Sequence, residues 1–333
     1  MQNTKGSLET EIRSVRIAQN TLRSFVSKSY ARDTITIMTK TTTIVIPAYN
    51  EEVGIHHVLD LVTRLEKNDY QIIVVDDGST DNTYSVASSY NDVTVISHPR
   101  NIGYGAAIKT GIKKAQGTLI AIIDADGTYP ANKIPELVAY AHNMKCDMVI
   151  GARDRKSVNI PSLRKPAKWV LSVLAEYLTS TKIPDLNSGL RVFKKDIVKQ
   201  FDAVLSNQFS FTTTITLAML SHGCTVAYIP VEYENRKGDS KIRPIKDTIR
   251  FVELIIRTTV YFRPLRVFMP ASTILFLIGF LMLLYRIFVA EQFGTTIALF
   301  FLAAFQMFSI GLVAELINVR MSTFKNDHYD SAS

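Results

Sequence analysis

Two uncharged apolar runs near the end of the chain constrain its fold more than any other feature. Residues 267–285, VFMPASTILFLIGFLMLLY, and residues 293–314, FGTTIALFFLAAFQMFSIGLVA, contain no Asp, Glu, Lys or Arg. At about 1.5 Å of rise per residue each forms a helix of about 28 Å or more, enough to cross a hydrocarbon layer about 30 Å thick. A soluble core helix of this length keeps a polar stripe, so the expectation is two transmembrane helices. Between them Arg286–Gln292 permits only a tight return, which puts both outer flanks on one side. Those flanks carry Arg257, Arg263, Arg266, Arg320 and Lys325 against Arg286 alone in the return, and the positive-inside bias assigns the bulk of the chain to the cytoplasm.

The net charge of +8 is uneven. Residues 153–168 and 233–266 are each net +5, and the remainder is net −2. Basic segments beside a membrane hairpin suit anionic headgroups or a phosphate substrate taken from the bilayer. No nucleic-acid-binding motif accompanies them, which argues against nucleic acid as a partner. Residues 1–37 are polar and of mixed charge, without the apolar centre of a signal peptide, and are expected to be a loosely ordered extension. Cys146 and Cys224 match no metal spacing and read as thiols in a reducing compartment.

From residue 42 onward short apolar runs alternate with helical patterns, which predicts an α/β domain with a mostly parallel sheet. Strands are expected in TTIVIPAYN, QIIVVDD, VTVISH, TLIAIIDAD and DMVIGAR, and helices over residues 51–68, TYSVASSY, GYGAAIKTGIKKAQG and residues 130–143. Polar residues recur at the strands' C-terminal ends, the edge where open α/β sheets bind ligands: Tyr49, Asn50 and Glu51, then Asp76 and Asp77, then Asp124 and Asp126. An apolar strand running into two carboxylates implies a cation to meet them, because an unpaired buried carboxylate costs several kcal/mol or changes its pKa. A metal ion is the expected cation.

Other motifs point away from alternatives. GYGAAI begins like a dinucleotide fingerprint but has Ile108 where Gly or Ala is needed, and it follows the third strand, not the first. Gly103 and Gly105 are expected instead to let a loop approach the first strand. His56, His57, His98, His142, His222 and His328 show no ligand spacing and read as surface or helix-packing residues. WVLSVLAEYL (169–178) and IKDTIRFVELIIRTTVYF (245–262) are expected to be amphipathic helices at the bilayer surface, the second with Ile245, Ile249, Val252 and Ile256 on one side.

In order, IVIPAYNEE, VVDDGSTD, IIDADGTYP and RKGDSK resemble the family 2 inverting glycosyltransferases of GT-A fold. The C-terminal hairpin narrows the resemblance to polyprenyl-phosphate glycosyltransferases such as dolichyl-phosphate mannose or glucose synthases, over about residues 40–318. The resemblance implies that Pro47, Tyr49, Asn50 and Glu51 hold the nucleotide and that Asp76 or Asp77 reads the base. It implies that Asp124 and Asp126 bind Mg²⁺ or Mn²⁺ against the diphosphate of a nucleotide sugar. It further implies that NSGLRVF, with Ser188 and Arg191, lines the site and that RKGDSK, with Arg236, Ser240 and Lys241, clamps phosphate. From charge alone, Arg153, Arg164 and Lys165 are the candidate acceptor cations. Two departures stand out: Thr128 occupies the place of a Gln common in mannose synthases, and the sole tryptophan, Trp169, lies outside any QxxRW motif of processive relatives.

The expected organisation is an N-terminal extension (1–39), a GT-A catalytic domain (40–243), a juxtamembrane helix (244–264), two transmembrane helices (265–319) and a cytoplasmic tail (320–333). The expected activity is transfer of one sugar from a nucleotide sugar, UDP-glucose before GDP-mannose, to a polyprenyl phosphate at the cytoplasmic membrane face. Asp124, Asp126 and Arg236 are the expected catalytic residues, the lipid bilayer is a partner, and a homo-oligomer is compatible. The alternatives are a glycosyltransferase for another membrane lipid or a catalytically silent membrane scaffold.

Overall fold

The computed structural model describes residues 42–66, 69–153, 173–233, 244–290 and 295–330. The N-terminal extension therefore lies outside the described residues, as do Arg164, Lys165, Arg236, Ser240 and Lys241.

One seven-stranded sheet has the order β3-β2-β1-β4-β6-β5-β7. Strand β1 (Thr42–Ala48) lies between β2 (Tyr70–Asp76) and β4 (Leu119–Ile122), parallel to both, and β3 (Val93–Ser97) continues parallel beyond β2. The sheet is mixed: β6 (Arg191–Lys194) inserts antiparallel between β4 and β5 (Met148–Arg153), and β7 (Val226–Val231) runs parallel to β5. The insertion was not expected, since four residues, RVFK, are too few to show a period.

Strand β1 reads as a continuous apolar run because both its faces are covered. Ile44, Ile46 and Ala48 enter one core cluster while Val45 enters the other. Pro47 is tolerated because the pairing of β1 with β4 stops at Val45, so no ladder donor is missing. On the first face lie α1 (Glu52–Val62) and α4 (Ile134–Asn143); α1 buries Ile55, Val58, Leu59 and Val62 at helical spacing and ends six residues short of its expected limit. The short α2 (Thr83–Ser88) packs beside α1. On the opposite face α3 (Tyr104–Lys114) crosses β1, where Gly111 leaves room for Val45.

That contact corrects one expectation. A Cβ at Gly103 or Gly105 would strike the carbonyls of Asn207 and Ser206, not the first strand. Gly111 makes the approach to β1, and the GYG segment instead receives the loop that follows α5 (Lys195–Gln200) and precedes α6 (Phe211–Ser221).

The juxtamembrane helix α7 (Pro244–Phe262) turns Ile255, Thr258 and Thr259 into the protein, leaving Ile256 exposed and Val252 half-buried. Ile255 joins Leu217 and Leu220 of α6 and Ala175 and Leu178 of a helical segment at 173–179 in one cluster. Of the side expected to carry Ile245, Ile249, Val252 and Ile256, Ile256 is therefore exposed, and the residues turned inward are Ile255, Thr258 and Thr259. Beyond it, α8 (Leu265–Tyr285) continues through a π turn (Arg286–Ala290), and α9 (Thr295–Asp330) returns.

Leu265–Phe288 and Thr295–Val319 are each long and apolar enough to cross a membrane, and most of their side chains point away from the protein. Leu281 (63% exposed), Phe288 (80%) and Phe305 (69%) would be costly in water, whereas a hydrocarbon solvent accommodates them. Small residues bring the two helices together: Gly279 faces Phe300 and Phe301, Gly311 faces Phe268, and the Ser272 hydroxyl donates to the Ala304 carbonyl at 2.8 Å. Helix α9 runs on to Asp330, so the expected tail is helical along most of its length.

Candidate active site

Strand β4 stops at Ile122, earlier than expected, and Ile123 still donates its N–H to Val45. Asp124 therefore emerges at the sheet's C-terminal edge. The chain then turns at Gly127 (φ 74°), a left-handed conformation suited to glycine. Asp126 Oδ1 accepts from the Thr128 N–H at 3.1 Å and the Thr128 hydroxyl at 2.7 Å, an Asx turn that fixes its direction. Thr128 is buried, and its hydroxyl is committed to Asp126.

Asp124 is confined from two sides. The Tyr104 hydroxyl donates to Oδ1 at 2.6 Å, and a Cβ on Gly189 would overlap the carboxylate itself. Burial, and next the Asp126 charge, push the Asp124 carboxyl up to about 6. Across the edge, Gly54 of α1 leaves room for Ala125 and Asp126, so the turn rests on the first helix.

The loops after β1 and β2 are laced together. Asn50, in a left-handed conformation (φ 54°), accepts the Thr80 N–H at 2.8 Å on Oδ1, and its own N–H donates to Ser79 Oγ at 3.0 Å. Glu51 donates its N–H to Thr83 Oγ1 at 2.9 Å, and Tyr49 is 38% exposed on the same edge. Asp76 and Asp77 are buried, and both use their oxygens internally. Asp76 accepts from the Ser79 N–H and the Ser97 hydroxyl; Asp77 accepts from the N–H groups of Ile102 and Gly103 and lies 2.7 Å from His98 Nδ1. His98 bridges Asp77 to Thr110, 3.0 Å from its Nε2, and is therefore an internal strut and not a surface residue.

On the other side of Asp124 sits a second group of charges. Arg153 grips Asp185 through Nε (2.7 Å) and Nη2 (2.8 Å) and lies 5.3 Å from the centre of the Tyr233 ring. The guanidinium holds the Asp185 carboxyl below the usual carboxylate range in spite of burial. Arg191 and Ser188 lie inside the protein, not on the site's surface. The Arg191 guanidinium donates to the carbonyls of Ser188 and Thr212 and to Thr216 Oγ1, and the Ser188 hydroxyl donates to the Gly151 carbonyl. Burial lowers the pKa of Arg191, whose charge nonetheless favours an ionised Asp124. A buried Arg191 supports the loop that carries Gly189, and a lining role would require that loop to open.

Sequence reasoning missed Tyr104 and Asp185 and, within NSGLRVF, singled out Ser188 and Arg191 and not Gly189. Tyr104 follows the third strand on the correct edge, but the GYG motif was read for its glycines and not for the tyrosine between them.

The two carboxylates fit a hard divalent cation. Their mutual repulsion and the burial of Asp124 disfavour the bare charges, which a cation would relieve. Among the described residues no cluster of three His, Cys, Asp or Glu could hold a metal alone. Substrate oxygens and water are oxygen ligands of the kind that complete the shell of such a cation.

Residues 43–201 match the family model of glycosyl transferase family 2, and residues 263–319 match the GtrB C-terminal hairpin. The chain is 30% identical to a dolichyl-phosphate beta-glucosyltransferase of Trichomonas vaginalis, over 67% of this chain and 72% of that protein. It is 29% identical to an undecaprenyl-phosphate 4-deoxy-4-formamido-L-arabinose transferase of Proteus mirabilis, over 82% of this chain and 87% of that one. The fold is similar to glucosyl-3-phosphoglycerate synthase of Mycobacterium tuberculosis, solved with Mn²⁺ and UDP-glucose (TM-score 0.52, 19% identity, 69% of this chain and 83% of that one).

Proposed function

The chain belongs to the family 2 glycosyltransferases that carry a GtrB-type C-terminal hairpin, and on that premise we propose that it moves one sugar from a nucleotide sugar to a polyprenyl phosphate. UDP-glucose is the first donor and GDP-mannose the second. The polyprenyl-phosphate acceptor is supported by the names of the Trichomonas and Proteus relatives. The observation that carries the reading is the Asp124–Asp126 edge on a chain that also presents a bare apolar hairpin.

The chemistry needs no strong general base. A phosphate monoester has a second pKa of about 6, so the acceptor arrives largely dianionic at neutral pH. One of its oxygens bonds to the sugar C1 as the bond from C1 to the diphosphate breaks on the opposite face; the nucleoside diphosphate leaves and the configuration inverts. Bound at Asp124 and Asp126, Mg²⁺ or Mn²⁺ would supply charge neutralisation for the leaving diphosphate. Tyr104 and Thr128 orient the two carboxylates, and the laced loops at Asn50 and Ser79–Thr80 frame the nucleotide. In this reading Arg236, Ser240 and Lys241 contact donor phosphate and Arg164 contacts the acceptor.

The test is to incubate purified enzyme with a panel of nucleotide sugars and undecaprenyl or dolichyl phosphate, with and without EDTA, and to weigh the lipid product. A mass equal to acceptor plus one hexosyl residue, that is one hexose less a water, absent with EDTA, is expected; a better yield from the phosphate-free polyprenol would overturn the reading. In this reading the positively charged flanks of the hairpin, Arg257, Arg263, Arg266, Arg320 and Lys325, keep the catalytic domain in the cytoplasm. Reporters fused after residue 260 and at residue 333 should both be cytoplasmic, and an extracytoplasmic C-terminus would refute the two-span arrangement.

A further inference from the structure

A cavity of about 470 Å³ opens where the hairpin joins the catalytic domain. Its walls include His222 just after α6, Phe262, Arg263 and Arg266 at the junction of α7 and α8, and Glu315 and Asn318 near the end of the second span. The spans begin at Leu265 and end at Val319, so this cavity sits at the membrane boundary on the side of the catalytic domain. It is separate from the carboxylate edge. Thr212, which receives Arg191 beneath that edge, and Ser221 at the cavity are at opposite ends of α6, roughly 13 Å apart along the helix.

Its charges are arranged as an incomplete set. Arg263 donates from Nε to the Ser221 carbonyl at 2.7 Å, and among the described residues its two terminal nitrogens have no protein acceptor. Arg266 uses Nη1 on the carbonyls of Tyr177 (3.0 Å) and Leu178 (3.1 Å) and on the Ser180 hydroxyl, which ties down the end of the 173–179 helix. Burial, and next the charge of Arg266, lower the pKa of Arg263, and the charge of Glu315 opposes that shift. Glu315, facing the same space, accepts the Leu265 N–H on Oε2 at 3.3 Å.

Two guanidinium groups beside one carboxylate call for a ligand that is anionic at one end and carries N–H donors at the other. We propose that this cavity binds the headgroup of a zwitterionic phospholipid with a primary amine. Its phosphate sits between Arg263 and Arg266 and its ammonium on Glu315, while its acyl chains lie along the exposed apolar faces of α8 and α9. A headgroup with phosphate alone leaves Glu315 repelling it, and a quaternary ammonium offers that carboxylate no hydrogen bond. The occupant is a resident lipid and is neither donor nor acceptor of the sugar.

The full chain, in detergent with equal amounts of phosphatidylethanolamine, phosphatidylglycerol and phosphatidylcholine, is examined by native mass spectrometry for retained lipid. Wild type should retain phosphatidylethanolamine about tenfold over phosphatidylcholine, as the loss of a charge-assisted hydrogen bond implies. Glu315→Gln should abolish that preference while retention of phosphate lipids persists; Arg263→Gln should lower retention of all three; Arg263→Lys, which keeps the charge, should restore most of it. Melting temperatures identify any variant that fails to fold, and the wild-type preference stands as a test without the variants. Equal retention of the three lipids by wild type, or displacement of phosphatidylethanolamine by undecaprenyl phosphate at equal concentration, would each overturn the proposal.

Discussion

The Tyr104 hydroxyl meets Asp124 Oδ1 at 2.6 Å, linking the start of the third crossover helix to the carboxylate that follows the fourth strand. The Phe209 ring, 5.7 Å away centre to centre, supports the tyrosine from the loop ahead of α6. One carboxylate oxygen is thereby fixed in direction. Tyr104→Phe keeps the ring packing and removes only the donor, and a hydrogen bond to a charged group contributes about 1.5–3 kcal/mol. The expected result is a Mn²⁺ affinity, measured with UDP present, that falls about tenfold or more, with turnover falling in parallel and melting temperature nearly unmoved. Unchanged Mn²⁺ binding would show that Asp124 needs no such support.

The raised pKa of Asp124 predicts how metal-free stability varies with pH. An unfolded aspartate titrates near 3.8 and the folded one at about 6, so between these values the folded protein binds more protons than the unfolded chain. Stability then falls as pH rises through that window, by about 2–3 kcal/mol in all. In EDTA the melting temperature should be higher at pH 5 than at pH 7 once other groups are accounted for. Asp124→Asn should flatten that difference, and Mn²⁺ with UDP should raise the wild-type value at pH 7. A pH dependence identical in wild type and Asp124→Asn would contradict the assignment.

Gly189 is a packing requirement of the same site. A methyl group there overlaps the Asp124 carboxylate, and the Gly189 N–H also donates to the Tyr129 hydroxyl at 2.9 Å. Gly189→Ala must therefore move either the loop or the aspartate. Turnover should fall at least about a hundredfold, by the general cost of small misplacements at a reacting centre. Gly223→Ala makes a contrast, because nothing lies within 4 Å of its added methyl, although its positive φ brings modest strain. Comparable activity in the two variants would remove the steric argument.

What could be read in advance follows a physical pattern. The strands β1 to β5 and the two spans were legible because burial on both faces, or in lipid, imposes long apolar runs that a sequence shows directly. The carboxylate edge was legible because strand ends collect ligand-binding groups. Strand β6 was not, since RVFK has no period to reveal, and neither was the internal role of Arg191, because a fully buried guanidinium looks like any other arginine until its three acceptors fold around it. The contacts Tyr104–Asp124, His98–Asp77 and Arg153–Asp185 span 20, 21 and 32 positions and close only when the sheet assembles.

Arg153 offers the clearest choice between a charge that serves substrate and one that serves the fold. Charge patterning singled it out as an acceptor cation, yet it is paired with Asp185 through two parallel hydrogen bonds, and the aspartate side chain is only 5% exposed. Removing one partner of a buried pair leaves the other uncompensated, at about 3–5 kcal/mol. Arg153→Ala and Asp185→Ala should each lower the melting temperature markedly, and the double variant should lose less than the two single losses together. Arg153→Lys retains the charge without the planar fork and should recover only part of the stability. Asp185, held below the ordinary range by Arg153, adds stability that is present above its unfolded pKa and lost as pH falls through the folded one. Acid sensitivity should therefore diminish in Asp185→Asn. An Arg153 devoted to the acceptor would behave otherwise: Arg153→Ala would raise the KM for polyprenyl phosphate with no change in melting temperature and no coupling to Asp185.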